Sequence, residues 1–215
     1  MNVYLYELGD CLYINLTNRC SNNCTFCLRN NVDGVGGNRL WLDKEPEPPE
    51  IIEGFNFIAQ SSNVIERSAA ALQPWNFLKN YRQVVFCGFG EPTYRMDCIT
   101  AIGQLLRGKG CYVRLDTNGQ GRLINGRDIV PELAVSVDAV SVSLNASSAK
   151  KYNDICRPAN KNAYAEVLNF AAACKKAGID TTLSVVDAIG EKEIEACKKL
   201  AESRGLPFKI RKYIK

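Results

Sequence analysis

The 215-residue chain contains no histidine. That absence removes the commonest general acid–base, the Ser–His and Cys–His arrangements of hydrolases, and every zinc site that needs an imidazole. Long apolar runs are missing too: none approaches the ~18 residues of a membrane span, so no membrane association is expected. The opening MNVYLYELGD lacks a basic segment, and Glu7 and Asp10 interrupt its apolar character. No export signal is read there, and a cytoplasmic setting is expected. Nor is there a large excess of one charge. The 27 basic and 23 acidic side chains leave a formal +4, which excludes charge-driven disorder and does not indicate a nucleic-acid binder. Without repeats, linkers or low-complexity tracts, residues 1–215 read as a single domain.

One residue is in excess. Ten cysteines in a chain read as unsecreted argue against a disulfide framework and for thiol, metal or redox chemistry.

Six segments read as strands: Leu12–Thr17, Gln83–Cys87, Tyr112–Thr117, Ala139–Asn145, Thr181–Val186 and Phe208–Tyr213. Helical periodicity is expected over Glu50–Ala59, Val64–Ala71, Asp97–Arg107, Ala163–Ala177 and Glu191–Ser203. This alternation predicts parallel βαβ units. Leu12, Ile14 and Leu16 alternate with Tyr13, Asn15 and Thr17, and Val140, Val142 and Leu144 alternate with Ser141, Ser143 and Asn145. A sheet covered by helices on both sides would be apolar on both faces. One apolar and one polar face fit a curled sheet with helices outside and a polar cavity inside. A full (β/α)8 barrel typically takes ~250 residues, so the expected fold is α/β, an incomplete six-stranded (β/α)6 barrel, with its chemistry at the strand C-termini.

The first strand runs into TNRCSNNCTFCLRN. Cys20, Cys24 and Cys27, spaced C-x3-C-x2-C, bring three thiolates to one βα loop, and thiolates select zinc, copper(I) or iron–sulfur clusters. A closed structural zinc site needs four ligands, and the next cysteine is Cys87. A cubane cluster on three thiolates leaves one iron without a protein ligand. The alternatives are a zinc site completed by a distant cysteine, or three unligated thiols.

This loop, with Phe26 before its last cysteine, resembles that of the radical S-adenosylmethionine (SAM) enzymes, and the resemblance extends over nearly the whole chain. It implies that Cys20, Cys24 and Cys27 bind a [4Fe–4S] cluster whose remaining iron is chelated by the amino and carboxylate groups of SAM. The reduced cluster would cleave SAM to methionine and a 5′-deoxyadenosyl radical, which abstracts hydrogen from a substrate. Phe26 would pack near the adenine.

Gly88, Gly90 and Glu91 in VVFCGFGEPT are similar to the family's Gly-Gly-Glu-Pro motif for the SAM amino group, with Phe89 in place of a glycine. The bland reading is a tight strand-to-loop turn. Thr117 and Asn118 end the third strand, and Ser143 and Asn145 end the fourth, where the family contacts the cofactor. Arg157 follows a Tyr-x-x-Ile pattern and is read as a carboxylate partner or a surface ion pair. Val186 matches the position of an adenine contact, with core packing as its alternative.

Cys98, Cys174 and Cys197 fall on helical core stripes, while Cys87 and Cys156 belong near the mouth, where Cys156 is a candidate redox group or hydrogen donor. The glycine-rich stretch after the triplet is expected to be a mobile flap whose Trp41 covers the cluster or meets the substrate, or else a capping loop. LRNNVDGVGG…LWL…EP resembles small radical SAM proteins associated with TatD-type metallohydrolases, which implies such a hydrolase as a partner. A reducing partner such as flavodoxin or ferredoxin is also implied, with the basic end FKIRKYIK as a docking segment or a solvated strand end. The rival readings are an activase that generates a radical on a partner protein, an iron–sulfur electron carrier or redox sensor, and a zinc-stabilised binding module.

Overall fold

A computed structural model describes residues 2–61 and 75–213. Nine strands are present among them: β1 (Leu5–Leu8), β2 (Cys11–Ile14), β3 (Gly34–Val35), β4 (Asn38–Arg39), β5 (Gln83–Phe86), β6 (Val113–Thr117), β7 (Ala139–Ser143), β8 (Asp180–Val186) and β9 (Phe208–Arg211). Seven form one sheet in the order β1-β2-β5-β6-β7-β8-β9, and β3–β4 form a separate hairpin. All neighbours in the large sheet are parallel except β1 and β2. The two end strands, β1 and β9, do not pair, so the sheet is open, consistent with a partial TIM barrel of six parallel strands.

The helices are α1 (Pro48–Ser61), α2 (Met96–Gly108), α3 (Gly121–Asn125), α4 (Val130–Ser136), α5 (Ala149–Cys156), α6 (Ala163–Lys176) and α7 (Glu191–Ser203). In α2, buried Cys98, Ile99, Ile102 and Leu106 make the stripe that faces the sheet, with Asp97 in its first turn and Arg107 in its last. Cys174 and Cys197 are likewise buried on α6 and α7. These side chains join Leu12, Ile14, Val84, Val140 and Val142 in the principal core on the convex face of the sheet. The expected alternation is observed in β7, whereas β5 buries apolar side chains on both faces.

Three features depart from the expectations, and one expectation is not covered. β1 folds back on β2 across Gly9, whose φ of +60° suits the turn. The first parallel strand stops at Ile14 rather than Thr17. Beyond it the chain is tethered through side chains: Asn15 Nδ2 donates to Leu40 O at 2.8 Å, and the Thr17 hydroxyl donates to Glu45. α3, α4 and α5 occupy stretches read as connections; they are five to eight residues long, too short for a periodic stripe. The helix expected over Val64–Ala71 lies outside the described residues.

A second apolar cluster sits on the opposite, concave face. Tyr6 and Tyr13, cross-strand partners in β1 and β2, stack with centroids 5.1 Å apart. Tyr6 is buried there with Leu40 and Phe89, and Val35, Leu28 and Trp41 pack around them. The segment after the cysteine triplet is thus folded down onto the β1–β2 half of the concave face.

Candidate functional site

The three cysteines lie on the loop leaving the C-terminal end of β2, and its backbone is fixed from both sides. Asn23 N donates to Cys156 O at 3.0 Å and Thr25 N to Ile155 O at 2.8 Å, while Ala159 N donates to Ser21 O at 2.8 Å. Asn22 and Pro158 form an antiparallel bridge. The end of α5 therefore runs beside the loop as a short strand would. Arg157 makes this possible by closing the helix in the left-handed region, at φ 46°. Cys27 N donates to Cys24 O at 3.1 Å, starting a short 3-10 turn.

Beneath the loop is a buried polar triangle. Tyr152 OH accepts from Asn22 Nδ2 and from Gln120 Nε2, both at 3.1 Å, and Gln120 Nε2 also donates to Asn22 Oδ1 at 2.7 Å. Sequence reasoning missed Asn22 and Gln120. The signal for Tyr152 was present, since it opens the Tyr-x-x-Ile pattern, but only its arginine was assigned a role.

The sulfurs have distinct surroundings. Cys20 Sγ lies 3.9 Å from Asn118 Nδ2, which also donates to Ser21 Oγ at 2.8 Å. Burial pushes the Cys20 thiol up to about 11. Cys24 goes the other way: a hydrogen bond from the Cys156 thiol holds it below the ordinary thiol value, with help from the charges of Arg29 and Arg211. Cys156 is raised because it serves as that donor and is buried. Among the described residues no three His, Cys, Asp or Glu side chains are already grouped as a metal cage. The fold brings the three thiols to one loop, not to one point.

At the end of β5, Glu91 is 2 % exposed and fully engaged. Its Oε1 accepts from Thr93 N at 3.2 Å and from the hydroxyls of Thr93 and Thr117 at 2.7 Å, and its Oε2 accepts from Asn118 N at 2.6 Å. Burial raises its pKa, and these four donors oppose the shift. Glu91 ties the ends of β5 and β6 together. The adjacent glycines serve close backbone packing. A Cβ on Gly88 would lie 2.0 Å from Asn15 Oδ1, and one on Gly90 would lie 2.3 Å from Thr17 O. That approach allows Glu91 N to donate to Arg19 O at 2.7 Å.

At the end of β7, Ser143 Oγ accepts from Arg211 Nη2 at 3.0 Å. Asn145 is buried at φ 54°, and its Oδ1 has no donor among the described residues. A buried acceptor without a donor suits a hydroxyl or ammonium group from a ligand. Val186 is buried at the end of β8, Phe26 is half-buried against the principal core, and Arg157 is exposed with its side chain outside the loop contacts. Cys87 lines the rim of the concave face, where burial pushes its thiol up.

Two segments that the sequence leaves open to two readings make definite contacts. Trp41 packs edge-on against Phe89 at 5.2 Å, with the Arg29 guanidinium 5.9 Å from its ring, so it anchors a folded segment. The residue that departs from the glycine motif, Phe89, is the other half of that contact. In the C-terminal segment, Arg211 reaches Ser143 and the Tyr213 hydroxyl accepts from Asn31 Nδ2 at 2.7 Å, so these two side chains are committed to the barrel mouth.

The donor set fits an iron–sulfur cluster: soft thiols from one loop, half-buried, with no imidazole in the chain. No helix among the described residues is long and apolar enough to cross a membrane. A search of curated proteins finds no match. Several solved structures share the fold. TYW1 with a lysine–pyruvate adduct bound is 18 % identical, with a TM-score of 0.60, over 96 % of this chain and 65 % of that one. A radical SAM methyltransferase from Sphaerobacter thermophilus is 14 % identical, with a TM-score of 0.60, over 97 % and 68 %. Streptococcus suis SuiB bound to S-adenosylmethionine is 15 % identical, with a TM-score of 0.61, over 94 % and 38 %. The chain thus spans from about two thirds to well under half of these proteins. The Radical SAM superfamily profile matches residues 14–202. The chain therefore belongs to the radical SAM superfamily, enzymes that work with a [4Fe–4S] cluster and S-adenosylmethionine.

Proposed function

We propose that Cys20, Cys24 and Cys27 hold the cluster and that SAM lies across the strand ends, at Phe26, Gly88, Gly90, Glu91, Thr117, Asn118, Ser143, Asn145, Arg157 and Val186. The observation that carries this reading is the position of the triplet. Its loop leaves the C-terminal end of β2, and Cys20 faces Asn118 from the end of β6. Together the bound groups supply a 5′-deoxyadenosyl radical for hydrogen abstraction.

The chain's own residues position and shield. Asn22, Gln120 and Tyr152 support the loop from below. Glu91 sets the spacing of the β5 and β6 ends, and the Asn145 carboxamide oxygen remains for a ligand donor. Without histidine, proton transfers on the substrate fall to Tyr, Asp, Glu, Lys or Cys. On this reading residues 1–215 act as one radical SAM domain in the cytoplasm. The electron donor is a protein such as flavodoxin or ferredoxin. A TatD-type metallohydrolase is the proposed pathway partner, on the strength of the LRNNVDGVGG segment.

The test is anaerobic reconstitution followed by dithionite and SAM. The wild-type protein should take up four iron and four sulfide and release 5′-deoxyadenosine. Alanine at Cys20, Cys24 or Cys27 should abolish both, and a cluster retained in all three variants would refute the ligand assignment.

A further inference from the structure

The concave face is divided in two, and the division bears on what the enzyme acts upon. Over β1 and β2 it is occupied by the chain itself, with Leu40 and Phe89 buried on Tyr6. Over β7 to β9 the same face is polar. Ser141 and Thr182 are register partners there, as are Ser184 and Lys209. A cavity of about 630 Å³ at the opposite, strand-start end, lined by Arg114, Ser141, Thr182 and Lys209 among others, does not include Arg211 or Ser143 and is separate from the mouth.

The cations on this face are not equivalent. Arg114 is neutralised by Asp116 at 2.9 Å and also donates to Gln83 Oε1 at 2.6 Å. Arg211 has no carboxylate within ion-pair distance among the described residues. Its Nη2 is held by Ser143 Oγ, and its Nε is buried with no acceptor. A buried guanidinium N–H without an acceptor costs desolvation energy that nothing in the chain repays. An oxyanion accepting from that guanidinium would repay it, and the planar fork suits carboxylate and phosphate groups.

We propose that the substrate bears a carboxylate or phosphate, and that Arg211, held in place by Ser143, receives that group in the β7–β9 half of the concave face. The proposal rests on the radical SAM reading of the mouth, because it names the substrate class for that same site. SAM carries a carboxylate of its own, so the test must separate the two sources.

The reconstituted holoenzyme, with saturating SAM present, is titrated calorimetrically with inorganic phosphate and with malonate. The wild type should bind at least one of them saturably. Arg211→Gln should weaken that binding at least tenfold, and Arg211→Lys should weaken it less. The SAM dissociation constant should stay within twofold in both variants. Absence of saturable binding to the wild type overturns the proposal, and this arm needs no variant to fold. A tenfold loss of SAM affinity in Arg211→Gln, with the anions competing against SAM, assigns the arginine to the cofactor and also overturns it. Iron content and 5′-deoxyadenosine release are measured on the same samples. A loaded, SAM-cleaving wild type that ignores both anions defeats this inference alone, whereas an iron-free wild type defeats the reading beneath it.

Discussion

The buried thiol of Cys156 is the neighbour that holds the Cys24 thiol below its ordinary value. It belongs to the same helix end whose carbonyls hold the amides of Asn23 and Thr25. Hydrogen bonds to ligand sulfurs stabilise the more negative, reduced form of a cluster and so raise its potential. Cys156→Ala should keep a full iron complement, lose about 1 kcal/mol of stability, and show a more negative midpoint potential in an EPR-monitored titration. An unchanged potential would remove Cys156 from any tuning role.

Tyr152→Phe isolates the polar triangle. It removes one hydroxyl and strips Asn22 Nδ2 of its only protein acceptor among the described residues. The expected cost is about 1–3 kcal/mol, read as a lower thermal unfolding midpoint of about 2–4 °C per kcal/mol for a chain of this size. Iron loading of the refolded variant reports separately on the loop.

Gly90→Ala should act through the backbone. The added methyl meets the carbonyl oxygens of Thr17 and Arg19 at 2.3 and 2.6 Å, neither of which can swing aside as a side-chain end does. A loss of about 1–3 kcal/mol is expected, with displacement of Arg19 and hence of Cys20. Iron and sulfide uptake measured beside the melting curve should both fall.

Phe89→Ala should free Trp41 and open the second apolar cluster, at a cost of about 3–5 kcal/mol. Trp41 fluorescence should shift to the red as the indole loses its neighbour.

Acid should act through Asp97. Its hydrogen bonds from Arg95, at 2.6 and 3.0 Å, hold the carboxyl below the usual carboxylate range. A depressed folded-state pKa gives stability that is present above the unfolded value of about 3.9 and lost as pH falls through the folded value. Between pH 5 and pH 2.5 the wild-type unfolding midpoint should therefore drop further than that of Asp97→Asn. Equal drops would show that the pair contributes nothing.

Much of this was legible in the sequence, for a physical reason. Most of the parallel strands announce themselves through apolar residues at every second position, as at Leu12 and Ile14 or Val140 and Val142, whereas β5, with Val84, Val85 and Phe86 all buried, stands out as a short apolar run. The cysteine triplet is equally local. β1 escaped notice because Tyr6 and Tyr13 are both inward-facing, and their partners, Leu40 and Phe89, come from distant segments. The same holds for the Asn22–Gln120–Tyr152 triangle, whose members are joined only across 98, 32 and 130 positions. The role of Phe89, which stands in place of a motif glycine, lies in its contact with Trp41, 48 positions away in the chain.

The clasp between the cysteine loop and the end of α5 bears on what shapes that loop. The amides of Asn23 and Thr25 and the carbonyl of Ser21 are spoken for by backbone groups of residues 155–159, so a helix end more than a hundred positions away shares in holding the path on which Cys24 sits. Damage to the last turn of α5 should therefore be felt at the thiols.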